Sequence, residues 1–151
     1  MLLESLSAPS ARFASYVSFL TGMSMAHRKV FYDAWMCYTR GETLSEFDQR
    51  LVSVMQYYPE FTQHILPDEI PNQSSQNPYL VMGAHLEVVE QVAQDRPKGI
   101  KPFYQSLALK VGGVQAQIIM RDVLLLVLDQ SYQSGEVPDY SEYLQMLKKC
   151  C

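Results

Sequence analysis

The sequence predicts an all-α fold: one helical bundle of about five to six helices with short connections. Three observations carry this. Apolar residues recur three and four apart over long stretches, which is the spacing of one helical face. Helix start and stop signals bracket those stretches. No stretch of period-two alternation marks a strand, and no glycine-rich phosphate loop or internal repeat is visible. The 151 residues are enough for one ordinary domain with one core. They are 48% hydrophobic and only 19% charged, too little charge for a solvated disordered chain. The net charge of −4 argues against nucleic acid held on a broad basic surface.

Each helix has its own signals. The first should cover Ala26 to Arg40, with Val30, Phe31, Ala34, Trp35 and Tyr38 on one face and Gly41 as a left-handed stop. Thr43 and Glu46 form a capping-box pattern for the second helix, whose buried stripe is Leu44, Phe47, Leu51, Val54 and Tyr58. Pro59 ends it, with a short turn through Phe61 and Ile65 after it. Leu66 to Gln76 reads as a polar connection. Asn77 and Pro78 open a third helix, asparagine as cap and proline at the first position, running to about Gln94.

A fourth helix should begin at Pro102, carry Phe103, Leu107 and Val111, and break or kink at Gly112-Gly113. The fifth runs from Val114 to Gln133 and stops at Gly135. It is apolar nearly all round and so is expected at the centre. Asp139 caps the last helix, with Tyr143, Leu144 and Leu147 facing inward. The last three pieces have short loops and should pack antiparallel. The domain layout is therefore an N-terminal extension over 1–24, flexible or a mis-annotated start, a bundle over 25–149, and an exposed Cys-Cys tail at 150–151.

Targeting and redox signals are sparse. The N-terminal stretch lacks the positive start and the A-x-A site of a signal peptide. The longest apolar run, Ile118 to Leu128, is interrupted by Arg121 and Asp122 and is shorter than the roughly 20 residues a membrane span needs. Three cysteines without a CxxC spacing fit a reduced, cytoplasmic protein. Cys37 is expected to be a small buried hydrophobe. The ending Lys148-Lys149-Cys150-Cys151 resembles that of some lipid-modified small GTPases.

One constellation bears on chemistry. On a helical wheel the third helix gathers Val81, Met82, His85, Leu86, Val88, Val89, Val92 and Ala93 on an apolar arc. Glu87, Glu90, Gln91 and Gln94 fall outside it. His85 lies near the middle of the arc, where both ring nitrogens need partners. The fifth helix offers one, because Val114, Ile118, Asp122 and Leu125 form a stripe. The expectation is a His85–Asp122 contact between facing helices. It would be a satisfied core pair, or else a metal-ligand pair or a base held by a carboxylate. His27 and His64 are expected to be exposed and separate. No ExxH, HxxxH or G-x-S-x-G pattern appears. Tyr16, Phe19, Tyr57 and Tyr58 are the expected exposed aromatic patch, and the other aromatics read as core and rim.

Phe31 with Asp33-Ala34-Trp35, Gly41-Glu42, Pro59-Glu60, Asn77-Pro78, His85-Leu86 with Glu90-Gln91, Asp95-Arg96-Pro97 with Gly99-Ile100, and Gly135 with Pro138-Asp139 and Tyr143-Leu144 stand in a telling order and spacing. Over roughly Met25 to Lys148 they resemble a bacterial family catalogued as domain of unknown function eighteen-forty-one. The resemblance brings no activity. It implies histidines at the positions of Val114 and Ile118, glutamate at that of Asp122, and histidines around Tyr58 and Thr62. With His85, that set would look like a metal site in a bundle, and this chain has replaced most of it.

The resulting expectation is a non-catalytic interaction or accessory protein with a degenerate polar site at His85 and Asp122. It needs no cofactor, has an unidentified protein partner, binds no nucleic acid and has no transmembrane segment. The alternative is a metal-binding bundle with hydrolase or redox activity, holding a divalent metal through His85 and Asp122. A second alternative is lipid anchorage through Cys150 and Cys151.

Overall fold

The structure, a computed structural model, describes residues 25–63, 78–135 and 140–151, with the side chains of residues 25–28, 132 and 140 outside the description. The expected extension, the 66–76 connection, the Asn77 and Asp139 caps and His64 all lie outside the described residues, as does the side chain of His27.

The fold is all-α. Among the described residues it has seven helices and no strand: α1 (Met25–Thr39), α2 (Glu46–Met55), α3 (Pro59–Thr62), α4 (Pro78–Gln94), α5 (Ile100–Val111), α6 (Gly113–Ser134) and α7 (Tyr140–Cys150). The seventh is α3, one turn of helix where the sequence indicated a turn. No helix among the described residues is long and apolar enough to cross a membrane.

Gly41 stops α1 with φ +71°, and the Glu42 N–H closes back on the Cys37 carbonyl at 3.0 Å. That left-handed stop is the one the sequence indicated. The α2 cap moves. Ser45, not Thr43, is extended at the helix start, and its hydroxyl accepts the Asp48 N–H at 3.1 Å. Both hydroxyl residues have an acidic residue three positions on, so the pattern alone fits either. The start of α5 also moves, from Pro102 to Ile100. The Asp95 carboxylate reaches forward and accepts the N–H groups of Gly99 (3.0 Å) and Lys101 (2.9 Å), satisfying donors that the new helix leaves open.

Gly112 adopts φ +93° between α5 and α6, a conformation that costs glycine nothing. The two helices pack on each other, so the glycine pair forms a corner and not a kink in one rod. A Cβ on Gly113 would lie 2.9 Å from the Tyr104 hydroxyl, so the end of that half-buried side chain would have to shift to admit a larger residue.

α4 and α6 form the centre of the bundle. α4 packs against α2, α5 and α6, while α6 packs against α4, α5 and α7 and keeps an exposed side. From Met82 to Gln91 every α4 residue but Val89 is buried. The helix apolar nearly all round thus shares the centre, as expected, and one expectation is corrected: Glu87, Glu90 and Gln91, outside the apolar arc, are buried. The α6 core stripe is Ala116, Met120, Val123, Leu124, Val127 and Leu128. Val114 and Asp122, from the expected stripe, are exposed, and Ile118 and Leu125 are half-buried. In α7, Tyr143 and Leu147 are fully buried as expected. Cys37 is half-buried, not core, with its thiol 3.5 Å from the Thr43 carbonyl. Its pKa is raised, by desolvation first and by Glu42 next.

Candidate functional site

His85 sits where the sequence placed it, on the buried face of α4, and it is fully buried. Its partners differ from the one expected. Nδ1 lies 2.8 Å from the Tyr58 hydroxyl and Nε2 lies 2.9 Å from Oε1 of Gln117. Tyr58 comes from the corner between α2 and α3, and Gln117 comes from α6. The imidazole thus joins three parts of the chain.

Asp122 does not reach His85. Its side chain is 60% exposed and pairs with its neighbour Arg121, whose Nε and Nη2 donate to one Asp122 carboxylate oxygen at 3.0 and 2.7 Å. The backbone directions of 121 and 122 diverge, but the arginine side chain is long enough to return. The same guanidinium donates from Nη1 to the Tyr58 hydroxyl at 2.7 Å. Asp122 therefore connects to His85 only through Arg121 and Tyr58.

The donors and acceptors order this chain. The Tyr58 oxygen already accepts from Arg121, so its own proton turns to Nδ1 of His85. The imidazole then carries its proton on Nε2 and donates it to the Gln117 carbonyl. The direction runs from Arg121 to Tyr58 to His85 to Gln117, with neither ring nitrogen open. Burial raises the Tyr58 pKa, against a pull downward from Arg121, so the phenol keeps the proton it donates. Burial also tends to lower the Arg121 pKa, but the bonds to Asp122 and Tyr58 outweigh it and raise the value.

Aromatic rings complete the surround. Tyr57 stacks on His85 with centroids 5.6 Å apart and planes 11° apart, and Tyr58 meets the imidazole edge-on at 5.7 Å. Tyr57 is 49% exposed, whereas Tyr58 is buried, in keeping with its place in the second helix's stripe and not with an exposed patch shared with Tyr57. Tyr57 thus covers His85 from the outside.

Burial pushes the His85 pKa below the usual 6.5; the Gln117 hydrogen bond works upward and the Arg121 charge downward. The folded protein therefore favours the neutral ring, and the unfolded chain binds the extra proton more readily. The stability from the neutral ring should be fully present above about pH 6.5 and lost as pH falls below it, with a slope of at most about 1.4 kcal/mol per pH unit. Denaturant unfolding between about pH 5 and 8, with the His85→Leu profile subtracted, isolates this component. A difference that is flat across the range would contradict it.

A second buried polar group lies further along α4. Arg50 of α2 pairs with Glu90 at 2.9 Å, and Gln91 donates to Glu87 at 3.4 Å. The wheel reading missed this group. The available signal was the spread of apolar residues around α4, from Leu80 through Val92, which marks a helix with neighbours on every side.

His85 and Asp122 do not come together as a ligand pair. Among the described residues no group of three or more His, Cys, Asp or Glu is arranged to hold one. The nitrogens of His85 face a phenol and an amide, and the guanidinium bonded to that phenol would repel a metal cation. Of the positions that the family resemblance singled out, 58 touches His85 and 62 is buried one turn beyond it. Position 118 is half-buried, and 114 and 122 are exposed.

No curated protein and no solved structure matches the chain. A family model, "Domain of unknown function (DUF1841)", matches residues 24–149. That span includes every residue of the polar chain and of the described helices up to Lys149, and the protein belongs to this family.

Proposed function

We infer that this is a non-catalytic interaction or accessory protein of the bacterial cytoplasm, whose central polar site is a structural strut. One observation carries the reading: both nitrogens of the fully buried His85 are engaged, by Tyr58 and by Gln117. A catalytic or metal-binding imidazole needs a nitrogen facing its substrate or ion. Here the ring instead ties the α2–α3 corner to α4 and α6. Burial lowers its affinity for a proton, and Arg121 supplies the only positive charge of the chain of bonds.

The test is the state of the two imidazole nitrogens, read by nitrogen NMR on the full chain as purified and after zinc is added. The expected result is a proton on Nε2, a bare Nδ1 and no response to zinc. A zinc-dependent shift of either nitrogen would favour the metal-binding alternative.

A further inference from the structure

One side of α6 is buried against α4, α5 and α7, through Ala116, Met120, Val123, Leu124, Val127 and Leu128. At about 100° per residue, the opposite side is one continuous arc. It carries Val114, Ile118, Leu125 and Leu126, with Asp122 and Asp129 along its middle. Burial agrees with the spacing: Val114, Asp122, Leu126 and Asp129 are exposed, and Ile118 and Leu125 are half-buried.

A helix face turned only to water is polar. This face is aliphatic, and the charged side chains described on it are both acidic. The cation at its edge, Arg121, is turned to Tyr58 and holds only Oδ1 of Asp122, which stays 60% exposed. Ile118, Asp122, Leu125 and Asp129 follow the i, i+4, i+7, i+11 spacing with which one helix meets another. The two acids lie two turns apart, about 10 Å along the axis.

We propose that this face of α6 docks a basic amphipathic helix of a partner protein. Aliphatic side chains of that helix meet Val114, Ile118, Leu125 and Leu126, and its lysines or arginines meet Asp122 and Asp129. The proposal rests on the reading of the chain as an interaction protein and names the partner's chemistry. Charge complementarity selects a basic partner, on a chain whose own net charge is −4. A second copy is disfavoured, because two such faces bring acid to acid with no cation opposite, and like charges juxtaposed across an interface are costly.

The experiment is amide NMR of the full chain titrated with a synthetic amphipathic helix, leucine on one face and lysine on the other. The shifts are expected to centre on α6 between Val114 and Asp129, and the same peptide with glutamate for lysine should not bind. Asp129→Asn should weaken binding by about three- to five-fold, and Leu126→Gln by about ten-fold. Both sites are exposed, so both variants should keep the parent circular dichroism. Leu109→Gln, at a leucine of α5 that is 90% exposed, should leave binding unchanged. No binding of the lysine peptide, shifts centred away from α6, or an equal loss in Leu109→Gln would each overturn the proposal. Sedimentation of the chain alone should show a monomer; a dimer lost in Leu126→Gln would overturn it in favour of a second copy. The His85 nitrogens are read separately, so a missing partner with those nitrogens unchanged sinks this proposal and not the structural role of His85.

Discussion

His85→Leu is expected to lower the unfolding free energy by about 2–3 kcal/mol. Leucine fits the apolar arc, so the loss comes from the polar partners. The Tyr58 hydroxyl, buried at the α2–α3 corner, loses the acceptor for its proton. Gln117 loses less, because it is only half-buried and can turn to water. Tyr58→Phe should cost about 2 kcal/mol by the mirror argument, since it strands Nδ1 of His85 and the Nη1 donor of Arg121. The double variant should cost less than the sum, by about 1–2 kcal/mol, because removing both partners leaves fewer stranded groups than removing each alone. Urea unfolding of the four proteins measures this. Strictly additive losses would mean that the two side chains do not share a bond.

Arg50→Met is expected to cost about 2–4 kcal/mol. It leaves the Glu90 carboxylate, whose side chain is 8% exposed, without the cation 2.9 Å away. Stranding one member of a fully buried pair costs about 3–5 kcal/mol. Arg50 is 37% exposed, so water enters and the cost falls toward the lower part of that range. Arg50→Met combined with Glu90→Leu should recover part of the loss, because the buried carboxylate is removed together with its cation. Thermal unfolding of the single and double variants checks both statements. A neutral Arg50→Met would mean that Glu90 is satisfied without it.

Much of the fold was legible in the sequence because its signals are local. Gly41 and Gly135 stop their helices with positive φ, as glycine after a periodic run indicates. The burial of His85 followed from its place among Val81, Met82, Leu86 and Val88. Its partners were not legible, for a physical reason. Tyr58 lies past the end of α2, in a corner whose direction depends on how α3 packs, and Gln117 carries no chemical flag in a sequence. The phase of α6 was misread because apolar residues occupy nearly its whole circumference. The true stripe through Ala116, Met120, Val123 and Leu124 and the expected one through Val114, Ile118, Asp122 and Leu125 are similarly apolar on a wheel. Only the neighbouring helices choose between them. The same cause hid Glu87 and Glu90: wheel position separates faces, but it cannot show that α4 has neighbours on all of them.

Position 121 illustrates how side-chain length defeats directional reasoning. Its backbone points away from that of Asp122, yet the guanidinium spans Asp122 on one side and Tyr58 on the other. It places a fixed positive charge beside the imidazole chain. Burial first, and this cation after it, make neutral His85 the favoured form. His85 is one link in a run of hydrogen bonds from Arg121 to Gln117.

In such a run the His85 ring carries one proton, on Nε2, with Nδ1 bare. Nitrogen NMR of His85 in the full chain, followed through pH 6.5 with and without zinc, reads it directly. The expected spectrum shows a protonated Nε2 and a bare, hydrogen-bonded Nδ1, unmoved by zinc and not yet titrating at the usual histidine pKa. A ring that gains its second proton near pH 6.5, or a nitrogen that shifts on binding zinc, would contradict it.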